Sequence, residues 1–342
     1  MKRLVRRLAG LLTAAGIFLM TGGGADGRLG AYMLSRPPEE RMKNVTLLHA
    51  EPPCLKPAPR TLMQAVGLAP PRESFSPPPM PTPEPDTILE TTIEGGMRIK
   101  NETSYWVDAA QALAEGPGLT LLPDEPQILI IHTHASEAYT QSGSDRYSAS
   151  DVNRTEDTQF NVVRIGDELT EILTEAGLNV IHDRGIYDYP SYTGSYSRAG
   201  AAIEQYLESC PNIRIVLDIH RDALGENGVV YKTMAEEEGT TASQIMLLVG
   251  TDESGLEHPY WRGNLALALY LQNAVNSVCP TLMRPVYLVP QRYNQQLTPG
   301  SLIVEVGSSG NTLREALTAV RLFGYAVAPA LLELVEWVEY AE

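Results

Sequence analysis

The chain has 342 residues, 42 of them acidic and 26 basic, for a formal net charge of −16. At roughly 100–200 residues per domain this length allows one large domain or two small ones, and a hydrophobic fraction of 43% excludes a wholly disordered chain. Three widely spaced cysteines (Cys54, Cys210, Cys279) without CxxC spacing exclude a disulfide scaffold and a zinc finger, and the acidic balance excludes nucleic acid as main partner, because phosphate binding needs clustered positive charge.

In chain order, Lys2, Arg3, Arg6 and Arg7 precede an uncharged, mostly apolar run from Leu8 to Met20. This is the pattern of an export signal or N-terminal membrane anchor over residues 1–28, since the run is shorter than the roughly 20 residues of a comfortable membrane span. Fourteen of the 25 prolines fall between Pro37 and Pro85. Proline removes backbone donors and favours extended chain, so residues 29–118 read as a proline-rich, largely disordered spacer. A globular domain is expected over 119–342.

Within that domain, strands are predicted at 127–131 (QILII), 179–182, 213–219, 229–234, 245–250, 287–289 and 302–304. Helices are predicted from Val162 to Ala176, Arg198 to Ser209 and Trp261 to Val278, and from near Asn311 onward, where Glu315 can cap the first turn. Alternating strands and helices predict an α/β fold, a mostly parallel central sheet flanked by helices.

Ligands bind beyond the carboxyl ends of such strands, and three polar clusters sit there. They are His132-Thr-His134-Ala-Ser-Glu137 after QILII, His220-Arg221-Asp222 after the third strand, and Glu305 closing LIVE. Two histidines and one carboxylate make a common catalytic zinc shell with one position left for water. A further carboxylate must then move the proton of that water, and Glu305 is the candidate acid/base. His132 alternates with His134 in an extended segment, which places both on one side. Glu137 has Glu156 and Asp157 as rivals for the carboxylate ligand. Arg221 and Asp222 can pair with each other or orient His220, and Asp218 fits a supporting role inside its apolar strand. His49, His182 and His258 read as structural or solvated. Ser195 and Arg198 at a helix start, and Arg292, Tyr293 and Asn294 before the Glu305 strand, are candidate substrate contacts. No phosphate loop, GxGxxG or GxSxG is present.

IIHTHASEAYT, NVVRIGDELTEIL, YPSYTGSYSRA, VLDIHRDA and RYNQQLTPGSLIVEVGSSGNTLREAL together resemble the stage II sporulation protein P family of endospore-forming bacteria, from roughly Pro126 to the C-terminus. The resemblance implies a fold like that of N-acetylmuramoyl-L-alanine amidases and a zinc-dependent peptidoglycan hydrolase. It implies cleavage between N-acetylmuramic acid and L-alanine, with endopeptidase action on cross-links, in septal thinning and engulfment at the outer face of the membrane. By the amidase pattern, zinc (Zn2+) is held by His134, a glutamate and His220, with Glu305 catalytic and His132 in a supporting role. The amidase glutamate lies nearer the position of Glu156, whereas Glu137 belongs to the HTHASEAY block. Implied partners are peptidoglycan and stage II sporulation proteins D and M. The same shell also suits a zinc carboxypeptidase or sugar deacetylase, and a wall-binding scaffold is the non-enzyme alternative. Because cell wall carries anionic polymers, wall affinity at this net charge must come from specific contacts in a cleft or from partners.

Overall fold

The structure, a computed structural model, describes residues 87–336 except Asp124 and Glu238. The expected leader and the proline-dense run up to Pro85 lie outside the described residues. Eleven strands are described: β1 (Thr87–Thr91), β2 (Ile99–Asn101), β3 (Ile128–Ile131), β4 (Val180–His182), β5 (Ile215–Asp222), β6 (Gly225–Glu226), β7 (Val229–Glu237), β8 (Thr240–Ser243), β9 (Ile245–Gly250), β10 (Val286–Val289) and β11 (Ser301–Ser308). The described helices are α1 (Ala109–Glu115), α2 (Val162–Glu175), α3 (Ser195–Ser209), α4 (Trp261–Asn276) and α5 (Leu313–Glu333).

Seven strands form the central sheet in the order β2-β10-β9-β11-β5-β3-β4. All pairs are parallel except β11 with β9, so the expected mostly parallel α/β sheet is what the chain builds. The apolar runs ILII and IMLLVG are buried along their whole length, as strands covered on both faces must be. A smaller sheet, β1-β7-β6 with β8 on β7, is joined to the domain through Asn311. The Asn311 side chain accepts from the backbone N–H of Thr233 on β7 and donates to its carbonyl.

Ordered structure therefore begins before residue 119. β1 pairs with β7, β2 forms the outer strand of the central sheet beside β10, and α1 packs on α4. These are short elements of three to seven residues, largely exposed, so each lacks the buried apolar run that marks a strand or helix in sequence.

On one face of the sheet, α2 packs against α5 and α5 against α4. On the other face, Ala199 and Ile203 of α3 pack on Leu129, Ile131 and Val216 of the strands. α3 covers only the β3–β5 half. Beyond it, Leu248, Val289 and Ile303 on β9, β10 and β11 pack, among the described residues, against the partly buried rings of Tyr287 and Tyr293. α5 has the length and composition to cross a membrane, yet half of its apolar window is buried in the domain, on α2 and β11. Its start follows expectation: Thr312 and Glu315 form a reciprocal capping box.

Candidate metal centre

The clusters converge on the face that carries Leu248 and Ile303, at the β3 and β5 ends. Two expectations about them change. β5 continues to Asp222 and β11 to Ser308, so His220 and Glu305 lie inside strands and not after them. The parallel register pairs Glu305 with His220, which sets the two side chains next to each other. β3 by contrast ends at Ile131, and the chain turns at once, with the Glu137 N–H donating to the His134 carbonyl. That turn separates the two histidines expected to share a side. His132 faces α2, where its Nε2 lies 2.8 Å from His182 Nε2 and its Nδ1 3.1 Å from the Ile219 carbonyl. His134 faces the cleft.

His134, Glu137 and His220 are all buried, and one donor atom from each lies within 4.8 Å of the others. His134 Nδ1 is 3.6 Å from one Glu137 oxygen and His220 Nδ1 is 3.4 Å from the other. Zinc ligands at 2.0–2.2 Å in a tetrahedron stand about 3.4 Å apart, so the spacing and the nitrogen–oxygen donor set suit that ion. The far ring nitrogens are engaged elsewhere: His134 Nε2 lies 3.1 Å from Ser195 Oγ, and His220 Nε2 lies 2.9 Å from Asp218. Asp218 is itself fixed by the N–H and hydroxyl of Thr133 at 2.8 and 2.7 Å. Each histidine is thus oriented from behind, with Nδ1 turned to the centre. Glu156 and Asp157 are exposed and outside this cluster.

Charge is balanced by two arginines. The backbone N–H of Arg221 donates to Glu137 at 3.2 Å, while its guanidinium donates to the carbonyls of Ala138 and Asn153. Arg154 donates to Glu137 at 3.4 Å and to the buried Asp188 at 2.7 Å; Asp188 in turn accepts from the N–H and hydroxyl of Ser136. Burial opposes the charge on Glu137, but Arg221 and hydrogen bonds from His134 and His220 hold its carboxyl well below the usual range. Burial opposes the charge on His220 too, yet Asp218 and then Glu137 raise it well above an ordinary histidine. Glu305 is half-buried, with its Oε2 buried and unpartnered among the described residues, and desolvation pushes it up to about 8.

A cleft of about 260 Å³ opens over these groups, walled by Tyr192, Tyr196, Tyr293, Leu248 and Ile303. Tyr293 and Asp222 border it, but Asp222 pairs with Arg284 at 2.8 Å and not with the Arg221 side chain. Ser195 is reached only through His134. Three other expected contacts serve the backbone. Arg198 clamps the carbonyls of Tyr187, Ser191 and Thr193, Arg292 donates to the Glu257 carbonyl, and Asn294 donates to the Tyr196 carbonyl. Arg154, Asp188, Tyr192 and Tyr196 were not foreseen. Tyr192 and Tyr196 have a signal in the polar, tyrosine-rich segment that leads into α3, whereas Arg154 and Asp188 have none. His182 and His258 are buried rather than solvated.

Fold and site together define an α/β protein with a buried His-Glu-His group that could hold a metal, at a cleft on one face of a mostly parallel sheet. The profile of Stage II sporulation protein P (SpoIIP) matches residues 84–328, and the chain belongs to that family. It is similar to Stage II sporulation protein P of Bacillus subtilis (strain 168), 23% identical over 252 residues, which are 69% of this chain and 58% of that protein. The chain thus spans less than two thirds of that relative. Solved structures similar to it include the N-acetylmuramoyl-L-alanine amidase from Clostridium difficile 630 (16% identity, 61% of this chain and 97% of that chain, TM-score 0.36). Another is the CwlD amidase from Clostridioides difficile in complex with the GerS lipoprotein (14% identity, 61% and 98%, TM-score 0.38).

Proposed function

We propose that this chain is a sporulation peptidoglycan hydrolase that cleaves the amide between N-acetylmuramic acid and the L-alanine of the stem peptide. The observation that carries it is the buried His134–Glu137–His220 group with the unpartnered carboxyl of Glu305 beside it, in a chain of the stage II sporulation protein P family. Zinc bound by His134, Glu137 and His220 would supply Lewis acidity and acidify water. Glu305 takes the proton of the attacking water and returns it to the leaving nitrogen. A carboxyl raised toward neutrality is suited to both halves of that task. Asp218 and Ser195 keep the two imidazoles turned to the centre, and Arg154 and Arg221 offset the charge of Glu137. Cross-link peptides would be a second substrate in the same cleft. In the same proposal, residues 1–28 anchor the chain at the outer face of the sporulation septum, the proline-rich segment tethers it, and stage II sporulation proteins D and M are its partners.

Purified peptidoglycan, digested with zinc added or chelated, tests the assignment by mass spectrometry of the products. Free stem peptides beginning at L-alanine are expected. Loss of acetate would mean a deacetylase, and loss of terminal amino acids a carboxypeptidase. His220→Ala should lose both zinc and activity, and Glu305→Gln should keep zinc while losing about 10²–10⁴-fold in rate. Unchanged wall clearing by either variant sinks the proposal.

A further inference from the structure

Tyr192, Tyr196 and Tyr293 border the cleft, and none of their hydroxyls has a hydrogen-bond partner among the described residues. A largely buried tyrosine hydroxyl normally finds one. Tyr192 stands at the rim, 57% exposed, where water serves its hydroxyl. Tyr196 is different. It follows Ser195 in the first turn of α3, so the contact of Ser195 with His134 also sets its position. Its ring meets the His134 ring edge-on at 5.3 Å and the Tyr293 ring at 5.4 Å, and its carbonyl accepts from Asn294 at 2.7 Å. The ring is therefore packed on two sides and its backbone tied by Asn294, while the hydroxyl has no acceptor among the described residues.

The surroundings of that hydroxyl keep it a donor. Burial first, then the charges of Asp218 and Glu305 and the neighbouring Tyr293 and Glu137, hold its pKa far above that of an ordinary tyrosine. An ordinary tyrosine hydroxyl, with a pKa of about 10, already carries its proton at neutral pH. Beside the metal-binding group the cleft therefore holds an unused acceptor on Glu305 and, on the ring packed against His134, an unused donor on Tyr196. Amide hydrolysis needs both, because the water gives up a proton while the carbonyl oxygen gains negative charge.

We propose that Tyr196 is a catalytic hydrogen-bond donor, its hydroxyl donating to the scissile carbonyl oxygen as that oxygen becomes negative. The inference rests on the amide-hydrolysis reading above. The hydroxyl keeps its proton throughout, and no bond to it forms or breaks. A fixed donor in a site of low dielectric stabilises developing charge without having to reorient.

Tyr196→Phe removes one oxygen and keeps the ring that packs on His134. The experiment measures kcat and KM on a soluble muramoyl-peptide, zinc content, melting temperature, and binding of the same muramoyl-peptide by calorimetry in a Glu305→Gln background. The expected result is a loss of about 10²-fold in kcat, with KM, fragment affinity, zinc content and melting temperature nearly unchanged. A kcat within threefold of wild type overturns the inference. So does a loss of zinc or melting temperature in step with kcat, which would make Tyr196 a wall for His134 only. A wild-type chain that does not hydrolyse the amide overturns this inference and the proposed function together, whereas an active wild type with an unaffected variant overturns this inference alone.

Discussion

Asp218 shows how much a single buried side chain decides at this site. It accepts twice from Thr133 and lies against the far nitrogen of His220, so the ring cannot rotate without breaking the contact. Such partners of a ligating histidine commonly tune metal affinity by 10–100-fold. Asp218→Asn is expected to weaken zinc binding by that order while the fold survives, as read by competition with a chelator of known affinity. Equal affinity would show that Asp218 only satisfies Thr133. At this scale the sequence exposed His134, His220 and Glu305, because a charged or imidazole group next to an apolar strand run stands out. It left Glu137 against Glu156 and Asp157 open, since all three sit near a helix or turn start. Arg154 and Asp188 were invisible in sequence. They come from separate loops, and their meaning arises only where Arg154 spans from Asp188 to Glu137.

Elements carry a different lesson. The apolar run suggested that β5 stops at Ile219, yet the backbone ladder with β11 continues to Asp222. Pairing follows the neighbouring strand, and the buried Asp218 and Arg221 are tolerated there because each finds a partner. The contact of α2 with β3 and β4 is similar. Gly166 lies where a Cβ would stand 2.5 Å from His182 Nε2 and 2.6 Å from His132 Nε2. Both rings are locked, so they cannot move aside. Alanine normally stabilises a helix interior over glycine by about 1 kcal/mol. Here Gly166→Ala is expected to destabilise by about 1–3 kcal/mol through overpacking, seen as a lower urea midpoint. A higher midpoint would show that the helix can shift away from the histidines.

The molecule as a whole inherits a pH response from its buried histidines. Burial lowers His132 to about 3, and His182 and His258 to about 4, from 6.5. The unfolded chain then binds more protons than the folded one between about pH 4 and 6.5, so stability is present above that window and lost as pH falls through it. Glu305, raised from 4.5 to about 8, and His220, raised well above 6.5, act in the opposite sense, two groups against three. Melting of the metal-free chain should therefore drop between pH 7 and 5, and His258→Leu should flatten the drop; a pH-independent midpoint would refute it. Sequence alone determined the α/β class, most strand and helix positions, and the residues to suspect, because burial periodicity and polar strand ends are local in the chain. Only the tertiary structure decided that β1, β2 and α1 belong with the domain, that Glu137 and not its rivals joins the histidines, and that His132 and His134 part company. It also placed the cleft beyond the half of the sheet that α3 covers, beside the one antiparallel pair of the central sheet. Those outcomes depend on register and on contacts between residues distant in the chain, which no local pattern encodes.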